Sequence, residues 1–297
     1  MGNLEEGMLA WRRRTNHNRM IDLQANPVAP DTRAPVELTY YGASSFLIKS
    51  PAGITILIDP WRNHPSGKWD WYRGEFPEIE VDIVTSTHAH FDHDAVHKPD
   101  AHVVLDRPIG SFSFGDVKVL GVADKHCSVA PPGSTYDWPE MYLKTAGIDA
   151  RPPDNPRQFD NTIVVVETGG LKILHWGDNR PNPNSHVWDL LGQVDVALLP
   201  IDASMHILSY EQADMIAARL GAKIIVPHHY FIWDLVQRAS TLQPADAYVA
   251  GREHVTLEVP SYVIDPNAIE GWIGKVLHFG THVGFEKPPT AHGQDWG

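Results

Sequence analysis

Residues 86–94 read Ser-Thr-His-Ala-His-Phe-Asp-His-Asp. The apolar run VDIVTST, residues 81–87, leads straight into them and reads as a buried β-strand. Side chains leaving a strand end are well placed to converge on one point. His88 and His90 are two apart, so in an extended segment both face one side. Asp92 and His93 follow at an expected turn into a helix. A single histidine in a loop is usually a surface residue, but His-x-His-x-Asp-His directly after an apolar strand is a ligand pattern. Imidazole and carboxylate suit zinc, iron or manganese. The lack of thiolates argues against a structural cysteine-type zinc site.

The rest of the chain alternates short apolar runs with turn signals. VELTYYGASSFLIKS and GITILIDP read as strands split by the turn SPAG. AHVVLD, SFSFGDVKVLGVA, NTIVVVET and LKILHWGD continue the pattern, with FGD and TGG as hairpin turns. The period then changes. In SYEQADMIAARLG, residues Ala213, Ile216, Ala217 and Leu220 share a helical face, Ser209 and Gln212 match a capping box, and Gly221 can end the helix. VDVALLPI before it and AKIIVPHH after it read as strands joined by an α/β crossover. Residues 1–35 are expected to form an N-terminal arm, and 36–297 a single domain. Two stretches rich in proline, glycine and aromatic residues, 61–80 and 128–161, are expected to be long loops that act as lids or binding walls.

With these strands in place, THAHFDH resembles the signature of the metallo-β-lactamase-fold hydrolases. The other signature elements follow in order: ILIDP with Asp59, LGVADKHCS with His126, ILHWGD with Asp178, and IIVPHHY. The wording of ILIDPW, FGDVKVLGVADKHCS, LHWGD, LLPI and VPHHY is similar to the branch that contains ascorbate-6-phosphate lactonase-like proteins. The resemblance implies an α/β fold, a four-layer αββα sandwich, with a two-metal site at the sheet edge. One ion would be held by His88, His90 and His126. The second would be held by Asp92, His93 and His229, with Asp178 bridging the pair. Adjacent strand residues face opposite ways, so only one of His228 and His229 should point into the site; His229 is preferred because the family pattern has one residue between the proline and the histidine. Asp59 and His175 would orient ligands, and His206 would reach the site from its loop. Catalytic roles are thus expected for Asp92, Asp178 and His206. The cofactors would be two divalent ions, zinc first, with manganese or iron as alternatives. A hydroxide bridging them would cleave an ester, lactone or amide-type bond.

Aromatic clusters flank the motifs: Trp61, Trp69, Trp71 and Tyr72; Tyr136 and Trp138; Tyr230, Phe231 and Trp233. From these, Trp61, Tyr230 and Trp233 are expected to line a partly apolar substrate pocket. The formal net charge of -13 and the absence of a basic, aromatic-interleaved patch argue against nucleic acid as a partner. A small-molecule substrate is expected, and homo-oligomerisation stays open. A phosphodiesterase, phospholipase-like or nuclease activity on the same two-ion site is the second reading. An iron redox enzyme or a non-catalytic scaffold is the third. With one cysteine, Cys127, and no apolar run near the ~18 residues of a membrane span, a cytoplasmic protein is the expectation.

Overall fold

The computed structural model describes residues 31–63, 71–128, 159–232, 235–236 and 242–288, with positions 140, 143, 144 and 147 between them. Most of the N-terminal arm and of the 128–161 loop lie outside these residues, as do Trp69, Tyr136, Trp138 and Trp233.

In chain order the strands are β1 (Val36–Tyr40), β2 (Phe46–Lys49), β3 (Thr55–Ile58), β4 (Glu80–Ser86), β5 (Asp100–Asp106), β6 (Gly110–Phe114), β7 (Val117–Lys125), β8 (Asp160–Thr168), β9 (Leu171–His175), β10 (Val196–Pro200), β11 (Ile224–His228), β12 (His254–Thr256), β13 (Ser261–Ile264) and β14 (Lys275–His278). The α-helices that lie wholly among the described residues are α1 (Ser185–Leu191), α2 (Tyr210–Leu220) and α3 (Asp246–Ala250). The strands form two mixed sheets, ordered β13-β1-β2-β3-β4-β5 and β12-β14-β11-β10-β9-β8-β7-β6.

The hairpin sequences build the antiparallel half of each sheet, and the crossover sequences build the parallel half. β6 to β9 pair antiparallel, β6–β7 and β8–β9 through two-residue turns. β9, β10 and β11 run parallel. All five residues of β10 and of β11 are buried, as expected of parallel strands covered on both faces. Among the described helices, α1 packs against β7 and α2 against β10. α2 begins at the expected capping box: the Ser209 hydroxyl accepts from the Gln212 amide, and the Gln212 side chain accepts from the Ser209 amide. It ends where Gly221 turns left-handed, at φ 61.

Two local expectations are corrected. VELTYYGASSFLIKS is not one strand, because the chain reverses between β1 and β2. Tyr41 N–H donates to Ser45 O and Ser45 N–H to Gly42 O, each at 2.8 Å, with Gly42 (φ 85) and Ala43 (φ 51) left-handed. Nor does a helix follow the histidine motif: residues 91–93 form a turn and no helical span lies between them and β5. Two features oppose one. The segment is tied to the chain after β3 by Arg62 N–H to Phe91 O and Ala95 N–H to Pro60 O, both 2.8 Å. Pro99 then disfavours helix at Lys98.

The carboxyl ends of β3 and β4 from one sheet, and of β7, β9 and β11 from the other, each lead into a residue of the site described next, and the loop after β10 carries His206. At the opposite end, buried Asp116 ties the sheets together. It accepts from Ser50 Oγ–H (2.7 Å) and from Ala52 N–H (2.8 Å).

Candidate metal centre

Asp59 follows β3 and organises the floor of the site. Its Oδ1 accepts from Thr87 N–H at 2.6 Å, and its Oδ2 accepts from Thr87 Oγ–H and His93 Nδ1–H, both at 2.7 Å. The Thr87 hydroxyl has only one proton, committed to Asp59. At its 3.0 Å contact with His88 Nδ1 the histidine must therefore donate. This fixes the tautomer of His88 and leaves Nε2 as its lone-pair nitrogen. His126 is oriented by the same logic, with Nδ1–H donating to Cys127 O at 2.7 Å.

Asp92 and His90 pack against four other expected ligands, and those four close on Asp178, which follows the β9 turn at Gly177. Its Oδ2 lies 3.1 Å from His229 Nε2, 3.5 Å from His126 Nε2 and 4.0 Å from His88 Nε2; its Oδ1 lies 3.6 Å from His93 Nε2. Asp92 Oδ2 stands 3.4 Å from His229 Nε2 and 3.7 Å from His93 Nε2. His90 completes the cluster, its ring centroid 4.6 Å from that of His88 and 4.7 Å from that of His126. Three groups of ligand atoms, each within 4.8 Å, result: His88, His90 and His126; His88, His93 and Asp178; Asp92, His93 and His229.

The donor chemistry fits divalent metal. His88 Nε2, His93 Nε2 and Asp178 Oδ1 are buried and have no hydrogen-bond partner. Each such group is destabilising by about 1–3 kcal/mol when nothing binds it, which is hard to reconcile with a purely structural cluster. The electrostatics agree. Burial opposes the charge on Asp178 and on Asp92, yet the imidazoles of His229 and His93 hold both carboxyls below their ordinary range. Burial likewise opposes protonation of His93, but the carboxylates of Asp178, Asp92 and Asp59 push it up to about 9. His90 goes the other way, lowered to about 3 by burial and by His126.

Strain marks the same place. Asp59 (φ 50) and His229 (φ 62) are two of the five described non-glycine residues with positive φ, and such backbone clusters at functional sites. His229 turns toward Asp178, whereas His228 turns away. His228 Nδ1 meets Ser44 Oγ at 3.0 Å and its ring stacks on His175 at 4.5 Å. His175 donates from Nε2 to Ser44 O at 2.8 Å, accepts from Gly177 N–H at 3.0 Å, and so braces the turn that carries Asp178. His206 is buried with its ring 5.3 Å from that of His229. His102, His186, His254, His278 and His282 belong to none of the three ligand groups.

Beside Asp92 and His229 lies a narrow, largely apolar depression, lined also by Trp71, Tyr72, Tyr230, Phe231, Ile232, Leu235, Val236 and Leu242. Tyr230 is there as expected, its hydroxyl donating to Gly280 O at 2.7 Å. Trp61 is not among the lining residues. Its indole N–H donates to Tyr41 O and its ring stacks behind Tyr72 at 4.0 Å. Thr87 and Tyr72 are the residues that sequence reading left without a role. Thr87 had a signal, its place immediately before the first histidine; Tyr72 had none beyond its aromatic neighbours.

A family model described as beta-lactamase superfamily domain matches residues 37–229. The chain is 29% identical over 217 residues to a UPF0173 metal-dependent hydrolase of Myxococcus xanthus, covering 70% of this chain and 75% of the relative. It is also 29% identical over 219 residues to a protein of the same name from Rubrobacter xylanophilus, covering 65% of this chain and 81% of the relative. Among solved structures, a Thermotoga maritima protein described as a Zn-dependent hydrolase of the metallo-beta-lactamase superfamily superposes with a TM-score of 0.55 at 22% identity, covering 82% of this chain and 98% of the other. That last likeness concerns the fold alone.

Proposed function

This chain belongs to the beta-lactamase superfamily, and from that membership and the clustered ligands we propose that it is a metal-dependent hydrolase with two adjoining metal cradles. His88, His90 and His126 form one cradle, and Asp92, His93 and His229 the other, with Asp178 between them. The observation that carries the proposal is the set of buried, hydrogen-bond-free ligand atoms on His88, His93 and Asp178. Divalent ions held there, zinc in our reading, would lower the pKa of water toward neutrality and polarise a carbonyl or phosphoryl oxygen.

The chain's own residues do the rest. Asp59 and Thr87 hold His93 and His88 in the tautomers that present Nε2. Asp178 sits within reach of ligands from both cradles and keeps them in one constellation. His206, stacked on His229 and held neutral by burial, is placed to meet a substrate or leaving group. The apolar residues beside Asp92 and His229 favour an ester, lactone or amide group there over a small polyanion. The sequence likeness to the ascorbate-6-phosphate lactonase-like branch supports the lactone end of that range.

Elemental analysis of untagged protein, purified without added metal, tests the reading. We expect about two metal ions per chain, falling in an Asp178→Ala, His93→Ala variant, together with turnover of acyl substrates. A chain that holds no metal and takes none up on titration would end the proposal.

A further inference from the structure

Tyr72 is held with unusual completeness for a residue whose hydroxyl meets nothing. Its backbone N–H donates to Asn63 Oδ1 at 2.7 Å, its carbonyl accepts from Asn63 Nδ2 at 3.1 Å, and it forms an isolated antiparallel bridge with Val236. Its ring stacks on Trp61 at 4.0 Å with 20° between the planes. The residue is 2% exposed. Its Oη is buried and has no hydrogen-bond partner. Phenylalanine would pack as well without an unsatisfied hydroxyl, which is destabilising by about 1–3 kcal/mol. Native structures rarely tolerate such a group without a role for it.

Its location supplies that role. Tyr72 lines the same depression as Asp92 and His229. Burial, followed by the Asp92 carboxylate, holds its phenol well above the ordinary range, so it is a donor at every physiological pH. Among the described residues, no lysine or arginine lines the depression.

We propose that Tyr72 is a catalytic residue that donates a hydrogen bond to the acyl oxygen of an uncharged ester or lactone held at the Asp92–His93–His229 cradle. The inference rests on the hydrolase reading above and narrows its substrate class. As water adds to the carbonyl carbon, negative charge gathers on the acyl oxygen, and a prepositioned donor stabilises that charge more than it stabilises the ground state. The bond to the leaving oxygen then breaks, and that oxygen takes a proton originating from the attacking water. Tyr72 keeps its own proton throughout. The apolar character of the described lining favours an uncharged acyl group over a phosphodiester.

The test compares wild type with Tyr72→Phe, both loaded with zinc, on p-nitrophenyl butyrate, a panel of unsubstituted lactones and bis(p-nitrophenyl) phosphate. Metal content and melting temperature are measured beside the kinetics. The expected result is acyl turnover by wild type and a kcat about 10²-fold lower in the variant, at similar KM and equal metal content. The melting temperature should be unchanged or higher, because no protein hydrogen bond is lost. Unchanged kcat in Tyr72→Phe, or a melting temperature several degrees lower, would overturn the role of Tyr72 and leave the hydrolase reading standing. Wild-type turnover of the phosphodiester alone would overturn the acyl substrate class and Tyr72 with it. Metal uptake with no turnover of any of the three would overturn both.

Discussion

Asp59 accepts hydrogen bonds bearing on two histidines at once, His93 directly and His88 through Thr87. Removing its charge while keeping its shape should therefore loosen both cradles. We expect Asp59→Asn to weaken metal affinity by about 10- to 100-fold, measured by competition with a chromogenic chelator; full-affinity binding would show that the tautomer lock is dispensable. Protonation adds a second residue-scale prediction. His93 is raised to about 9 because, although burial opposes its charge, Asp178, Asp92 and Asp59 favour it. A raised folded-state pKa stabilises the metal-free chain below the unfolded value near 6.5, and that contribution is lost as pH rises through about 9. Metal binding needs His93 neutral, so it releases a proton. Chelator-treated protein should thus melt lower at pH 9 than at pH 6.5, while metal affinity climbs over the same interval. Calorimetry at the two pH values measures both. These ligands were legible in the sequence because four of them lie within six residues and the others follow strand-end motifs. Tyr72 was not, since its lack of a partner depends on what Asn63, Trp61 and Val236 do around it.

Among the elements, the β9 turn is the most exacting. Gly177 has φ 59, and a Cβ there would lie 2.6 Å from Asn161 Oδ1 and 2.8 Å from Thr87 Cβ. Both neighbours are fixed. Thr87 is bound to Asp59, and Asn161 Nδ2 donates to Asn179 Oδ1 at 3.1 Å and Trp176 O at 3.3 Å. Gly177→Ala should displace Asp178 and lose metal as well as stability; a variant with native metal content would show that the turn can yield. Helix α2 offers a milder contrast, because Ser209→Ala removes only its cap. A loss of about 1 kcal/mol in urea unfolding is expected, without change in metal content. That helix was legible because its signals are local: cap, periodic face and terminal glycine. The β1–β2 reversal was missed although Gly42 stands in it, because YYGASSF is apolar enough at both ends to pass for continuous strand. The helix expected after the histidine motif was missed for a tertiary reason, the ties from Arg62 and Ala95 to the neighbouring segments.

At the scale of the molecule, the crossover was readable from the change of period and the sandwich from the family resemblance, but the pairing of β13 with β1 and of β12 with β14 was not. Those contacts join residues far apart in sequence, and the short strands β12 and β13 carry no periodic signal. The end of the sandwich remote from the metal centre is fastened by Asp116. Asp116→Ala would leave the buried Ser50 hydroxyl and the partly buried Ala52 N–H without their acceptor, an expected loss of about 2 kcal/mol. Thermal melting should fall by about 5–10 °C while metal stoichiometry holds, and a simultaneous loss of metal would mean that the two ends are mechanically coupled.

The near end is also bridged by hydrogen bonds, Thr162 N–H to Thr87 O and His229 N–H to Ala43 O at 2.8 Å and His175 Nε2–H to Ser44 O at 2.8 Å, and candidate metal ligands from both sheets meet there. His88, His90, Asp92 and His93 follow a strand of one sheet; His126, Asp178 and His229 follow strands of the other. Ions shared between those sets would act as a clasp, closing a loop of chain from residue 88 to residue 229 and drawing the two layers together by mass action. Free metal concentration would then set how often the layers part, so that hydrogen exchange along β4 and β11 would serve as a gauge of the ion supply around the protein.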